Sequence, residues 1–283
     1  MKWRGRSQSG NIEDRRGFGG RGMVAGGTIG TLALVVIVWL LGGDPSKIMN
    51  SLQSTGQETA VVDSAVIKSE SEHAQFASVV LKDTEDIWHE LFRNNGWSYQ
   101  EPKLVLFSGS VESACGFSES VTGPFYCPGD EKIYIDLSFM EELQQKLGAA
   151  GDFAKAYIIA HEVGHHIQKQ LGITEKLSSL QGQVSESEFK RNSVKLELQA
   201  DFLAGVWAHY AEKTKNILES GDLEEAMNAA AAVGDDRIQL KSQGYVVPDA
   251  FTHGTSQQRR KWFLKGYETG DINEGDTFSA SDL

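Results

Sequence analysis

The segment His161-Glu162-Val163-Gly164-His165 sets two imidazoles four residues apart, with a carboxylate beside the first. On an α-helix, residues i and i+4 share a face, so both rings can reach one metal ion. Glu162, turned about 100° from His161, can address a water on that metal. This is the spacing of zinc-dependent peptide hydrolysis: the metal lowers the pKa of its water to about 7, and the carboxylate takes the proton and later passes it to the leaving amine. The preceding turn, Ala156 to Ala160, is too apolar for an ordinary solvated face. Buried polar groups need partners, and a metal would supply one.

A catalytic zinc usually takes three protein ligands and keeps a fourth position for water. The third is sought in the stretch Glu197-Leu198-Gln199-Ala200-Asp201, which continues into Phe202-Leu203-Ala204-Gly205-Val206-Trp207. Glu197 and Asp201 are one helical turn apart on an apolar helix, so one carboxylate can bind the metal while the other accepts the second N–H of a ligating histidine. His209 is the rival third ligand with helical logic. His166 points about 100° away from His165 and receives no role, and His73 and His89 read as surface residues. Asp235-Asp236-Arg237 reads as a structural ion-pair cluster or a helix cap.

The elements that must hold these residues are mostly helical. Phe76, Val79, Val80, Ile87 and Leu91 recur at helical spacing up to Asn94-Asn95-Gly96. Lys103–Phe107 and Lys132–Leu137 are the two predicted strands, and the second is expected at a sheet edge beside the cleft, where an extended peptide could pair with it. Further helices are predicted at 138–147, 152–170, 189–218, 222–242 and 255–268. The predicted class is α+β, helix-dominated, with a small sheet.

Charge divides the chain of 283 residues unevenly. The formal net charge is −12, yet residues 1–23 hold six basic side chains against two acidic ones, and the run from Gly22 to Gly43 is uncharged. An acidic body is a poor phosphate binder, so no nucleic-acid partner is expected. Residues 23–43 have the length and apolarity of a transmembrane helix, and the basic residues before them predict a cytoplasmic N-terminus by the positive-inside bias. The expected organisation is a basic leader at 1–22, an anchor at 23–43, a Ser/Gln/Thr/Glu-rich linker at 44–72 and one extracytoplasmic domain at 73–283, in the periplasm or at the cell surface. Cys115 and Cys127, the only two cysteines, suit a local disulfide in an oxidising compartment.

The motifs HEVGHH and, some thirty residues later, ELQAD resemble the gluzincin pattern of HExxH plus ExxAD. With GPFYCP at 123–128, KIYIDLSF at 132–139, GDDRIQ at 234–239 and THGTSQQRRKWFLKGYETGD at 252–271, the chain most resembles the bacterial "putative neutral zinc metallopeptidase" family over nearly its whole length. The resemblance implies a zincin-like domain binding one Zn2+ through His161, His165 and Glu197, with Glu162 as general base and Asp201 supporting a ligand. It also implies that His253 contacts substrate and that Arg259 pairs with Asp201, although Gly254 stands where the relatives often have Pro. His253 is then the candidate stabiliser of the oxyanion, with Tyr126 and Tyr134 as alternatives. The expected substrates are peptides or proteins. The competing reading is a zinc-stabilised binding or scaffold module without peptidase activity, and Glu162 separates the two, because a structural site is closed by four ligands and needs no base.

Overall fold

The computed structural model describes residues 1–16, 64–119 and 123–283. The expected anchor at 23–43 and most of the linker at 44–72 lie outside the described residues. Among those described, no helix is long and apolar enough to cross a membrane.

The first described segment is not separate from the domain. Residues 1–16 were expected to belong to a leader, but Met1 and Trp3 are buried in the main core, with Trp3 edge-on to Phe76 at 5.3 Å. Backbone hydrogen bonds run from Lys2 N to Ile217 O and from Ser9 N to Ser78 O. Strand β1 (Ile12–Asp14) then joins the sheet in parallel with β2 (Lys103–Phe107), in the register Ile12↔Leu104 to Asp14↔Leu106. Lys132 donates to Glu13 at 2.9 Å and fastens β1 further.

Helix α1 (Ser64–Asn94) begins inside the stretch expected to be linker and ends where the Asn-Asn-Gly signal predicts. After β2 come a hairpin, β3 (Ser110–Ser113) with β4 (Gly116–Glu119), then β5 (Phe125–Cys127) and β6 (Lys132–Asp136). The four-stranded sheet has the order β1-β2-β6-β5, with β5 antiparallel to β6 and the other pairs parallel. Lys132–Asp136 is therefore internal, and the edges are β1 and β5. The alternation of β2 and β6 divides two covered faces: Leu104, Leu106, Ile133 and Ile135 enter the main core, while Val105, Phe107 and Tyr134 pack with Val111 and Cys127. Burial on both faces is what an internal strand of a parallel pair requires. The Cys115–Cys127 disulfide ties the hairpin turn to the end of β5.

Helices fill the rest: α2 (Leu137–Leu147), α3 (Asp152–Gln170), α4 (Ile173–Ser179), α5 (Glu186–Lys215), α6 (Asp222–Ala232), α7 (Asp235–Gln243) and α8 (Ser256–Thr269). The single helix expected at 222–242 is broken at Gly234, whose backbone is extended and lies so near Ser256 that a Cβ would fall 2.4 Å from Ser256 N. Ser185 caps α5 through Glu188 N, and Thr255 with Gln258 forms a capping box that fixes the start of α8. Two glycines let α5 and α8 approach closely: a Cβ on Gly205 would lie 2.0 Å from Phe263 O, and one on Gly266 would lie 2.0 Å from Phe202 O. Helices α5 and α8 can thus pack backbone to backbone, which brings Arg259 against Asp201.

Candidate metal centre

Helix α3 runs through the core and turns His161 and His165 toward α5. Their Nε2 atoms lie 3.3 Å from Glu197 Oε2 and 3.5 Å from Glu197 Oε1, respectively. The three side chains offer ligand atoms within 4.8 Å of one another. Two imidazole nitrogens and one carboxylate oxygen converging on one point form a donor set suited to zinc and short of a closed fourfold site. What permits the approach is Gly164, between the two histidines: a Cβ there would meet Ala200 O at 2.9 Å and Ala200 Cα at 3.1 Å.

The far side of each ring is held. His161 Nδ1 lies 2.9 Å from Asp201 Oδ1; an ionised carboxylate only accepts, so Nδ1 carries a proton there and Nε2 is the nitrogen turned toward Glu197. Asp201 is itself fully buried and takes hydrogen bonds from the Tyr157 hydroxyl and from Arg259, Nε to Oδ2 at 2.7 Å and Nη2 to Oδ1 at 3.0 Å. His165 Nδ1 donates to Gln168 Oε1 at 2.9 Å. The Gln168 amide is oriented for this by donating to Leu196 O at 2.7 Å and Gln199 Oε1 at 3.1 Å, and Gln199 in turn donates to Gly275 O at 2.9 Å.

The electrostatics follow from this packing. Burial works against a charge on His161, but Asp201 and Glu197 outweigh it and raise its pKa to about 9. Burial likewise opposes a charge on His165, and Glu197 raises its pKa nonetheless. Burial would raise both carboxylates; His165 and His161 hold Glu197 well below the ordinary range, and Arg259 with His161 lowers Asp201. The pocket therefore favours positive charge between its carboxylates, which a divalent cation would supply.

Glu162, His161, His165, Glu197 and His253 line one cavity of about 420 Å³. The buried Glu162 is thus on the same cavity wall as the ligands. His253 comes from the loop before α8, where Asp235 accepts from its backbone N at 2.6 Å and lies 3.2 Å from its Nδ1. That hydrogen bond raises the His253 pKa and so favours the imidazolium, in which Nε2 is the second N–H donor. Of the two tyrosines considered beside it, Tyr126 lines the cavity and hydrogen-bonds His166 Nδ1 at 3.0 Å, whereas Tyr134 packs on the other sheet face and donates to Asp130 at 2.7 Å. His209 lies apart from the ligand cluster, its Nδ1 donating to Tyr267 O at 2.8 Å. In a second carboxylate group, Asp152, Asp222 and Glu225, the first two hold the Met1 amine at 2.5 and 3.2 Å.

Sequence reasoning brought together His161, Glu162, His165, Glu197, Asp201, His253 and Arg259, and missed Tyr157, Gln168, Gly164 and Asp235 as parts of the site. Tyr157 lies four residues before His161, and Gln168 three after His165, so helical spacing could have found both.

No solved structure matches this chain. The chain is 48% identical over 289 residues to the uncharacterized protein YpfJ of Escherichia coli (strain K12), a match covering 99% of this chain and 100% of the relative. It is 45% identical over 195 residues to the uncharacterized protein Rv2575 of Mycobacterium tuberculosis (strain ATCC 25618 / H37Rv), covering 65% of each. The family model described as "Putative neutral zinc metallopeptidase" matches residues 1–278. Because that match spans nearly the whole chain, the chain belongs to the "putative neutral zinc metallopeptidase" family.

Proposed function

We propose that this protein is a peptidase that hydrolyses peptide bonds in peptides or proteins, using one zinc ion held by His161, His165 and Glu197. The observation that carries the reading is an incomplete ligand set: three side chains converge beside an open cavity, and Glu162 lines that cavity with them. A purely structural site would call for a fourth ligand and no neighbouring base. When bound, zinc polarises the scissile carbonyl and makes a water acidic near neutral pH. Glu162 takes the proton of that water and delivers it to the leaving amine. His253, as the imidazolium that its Asp235 partner favours, donates from Nε2 to the oxygen that becomes negative, a role supported by its place on the cavity wall. Asp201 and Gln168 hold the two ligand rings in orientation, and Arg259 balances the charge of Asp201.

We also propose that residues 23–43 attach the protein to a membrane and that the domain acts outside the cytoplasm, where the Cys115–Cys127 disulfide persists. The pairing of β1 with β2 favours both flanks of the apolar run on the same side as the metal centre, in place of a cytoplasmic N-terminus.

The test is hydrolysis of casein or unstructured peptides by the full chain loaded with one equivalent of zinc. Cleavage that disappears with a chelator and returns with zinc supports the reading. A stoichiometric zinc protein that cleaves no peptide would favour the binding-module reading.

A further inference from the structure

The metal centre uses every charged side chain that lines its cavity. His161, His165 and Glu197 are ligands, Glu162 is the base, His253 is tied to Asp235, and Arg259 is bound to Asp201. The remaining walls are apolar apart from Gly123 and Tyr126. Pro124, Phe125, Phe139, Ile158, Val233 and Ile238 make up the rest of the lining.

Ile238 is the unusual member. It sits on α7, a helix whose single buried residue is Asp235. Polar contacts at its N-terminus hold this helix to the fold: Asp235 accepts from the backbone N of Thr252, His253 and Gly254 at 2.8, 2.6 and 3.0 Å, and Asp236 accepts from Ser256 N and Oγ, both at 2.8 Å. Apolar packing contributes little, and Ile238 is left 43% exposed at the mouth of the metal cavity. The loop that places the His253 backbone is thus the same one that fixes α7, so the apolar wall and the polar machinery are positioned together.

We propose that Ile238, with Phe139, Ile158 and Val233, forms a subsite for a large apolar side chain beside the scissile bond, and that the substrates are extended polypeptide segments carrying Leu, Ile, Val or Phe there. The inference rests on the peptidase reading and names its substrate class. A charged substrate side chain would lose its hydration on this wall and meet no uncommitted charge there. An apolar one would cover Ile238 and extend the continuous apolar surface of the cavity.

The experiment has two arms, both on the full chain with zinc content checked. In the first, quenched fluorescent peptides carry Leu, Phe, Asp, Lys or Gly beside the cleaved bond. Leu and Phe should exceed Asp and Lys in kcat/KM by at least about tenfold, and Ile238→Asp should remove most of that preference. Leu240→Asp changes a 59% exposed residue of the same helix that does not line the cavity, and it should leave the preference intact. In the second arm, Glu162→Gln protein binds labelled Leu/Phe-rich and Asp/Gly-rich peptides, read by fluorescence anisotropy. Tighter binding of the apolar peptide that Ile238→Asp abolishes supports the subsite even if no peptide is ever cleaved; in that event the peptidase reading fails and the apolar site stands. Equal binding of both peptides, or equal effects of the Ile238 and Leu240 substitutions, overturns the proposal. So does loss of binding to phosphatidylcholine vesicles in Ile238→Asp with peptide affinity unchanged, which would make the patch a bilayer contact.

Discussion

Arg259 donates from Nε to Asp201 Oδ2 at 2.7 Å, and both side chains are buried. This pair sits directly behind the metal centre, because the other oxygen of Asp201 accepts from His161 Nδ1. Removing one partner of such a pair leaves an uncompensated buried charge. Arg259→Leu should therefore destabilise the fold by about 3–5 kcal/mol, read as a lowered urea midpoint with unchanged slope. A loss below about 1 kcal/mol would mean that Asp201 does not depend on Arg259 for its charge.

Gly164 lets α3 reach α5, so the distance between the histidine pair and Glu197 depends on a missing side chain. The atoms in the way are Ala200 backbone, which cannot rotate aside. Gly164→Ala should cost about 1–3 kcal/mol of stability and weaken zinc binding in a competitive chelator titration. Unchanged zinc affinity would show that the two helices do not need this approach.

Zinc occupancy should rank the candidate ligands. Glu197→Ala removes a donor and should leave little zinc after dialysis, while His209→Ala should retain stoichiometric metal, because His209 is bonded to Tyr267 away from the cluster. Gln168→Ala should fall between them, with affinity lowered about 10–100-fold, since Gln168 only orients His165. The reverse ranking of Glu197 and His209 would overturn the ligand set.

The attachment of β1 should depend on acid. Hydrogen bonds from Arg15 and Lys132 lower the pKa of Glu13 from 4.5 to about 2. Because the folded value lies below the usual one, the stabilisation is complete above pH 4.5 and is lost as pH falls toward about 2. Hydrogen exchange at residues 12–14 should accelerate over that window in the wild type, and Glu13→Gln should flatten the dependence. An unchanged acid profile in Glu13→Gln would place the control elsewhere.

The metal centre was legible because its logic is local to two helices. His161 and His165 share a face by spacing alone, and Glu197 and Asp201 repeat the spacing on the helix packed against them. Gln168 and Tyr157 obey the same spacing, but an amide and a phenol carry no metal-ligand signature until the structure pairs them with His165 and Asp201. The sheet was half legible. Lys103–Phe107 and Lys132–Asp136 are five residues each, whereas β1, β3, β4 and β5 have only three or four, too few for alternation to register. The edge was misplaced for the same reason, since β5 was not expected. Residues 1–16 read as a leader because a count of basic residues does not distinguish a topological signal from ion pairing. In the fold, Arg6 pairs with Asp83 at 2.6 Å, Arg15 with Glu13 at 2.7 Å and Arg16 with Asp14 at 2.5 Å.

The central claim is that Glu162 acts as a base beside a metal it does not bind. Glu162→Gln keeps the shape of the side chain and removes its ability to take a proton, so the variant should hold as much zinc as the wild type and lose cleavage of a casein or peptide substrate by about 10²-fold or more. Full zinc content with undiminished cleavage would contradict the account.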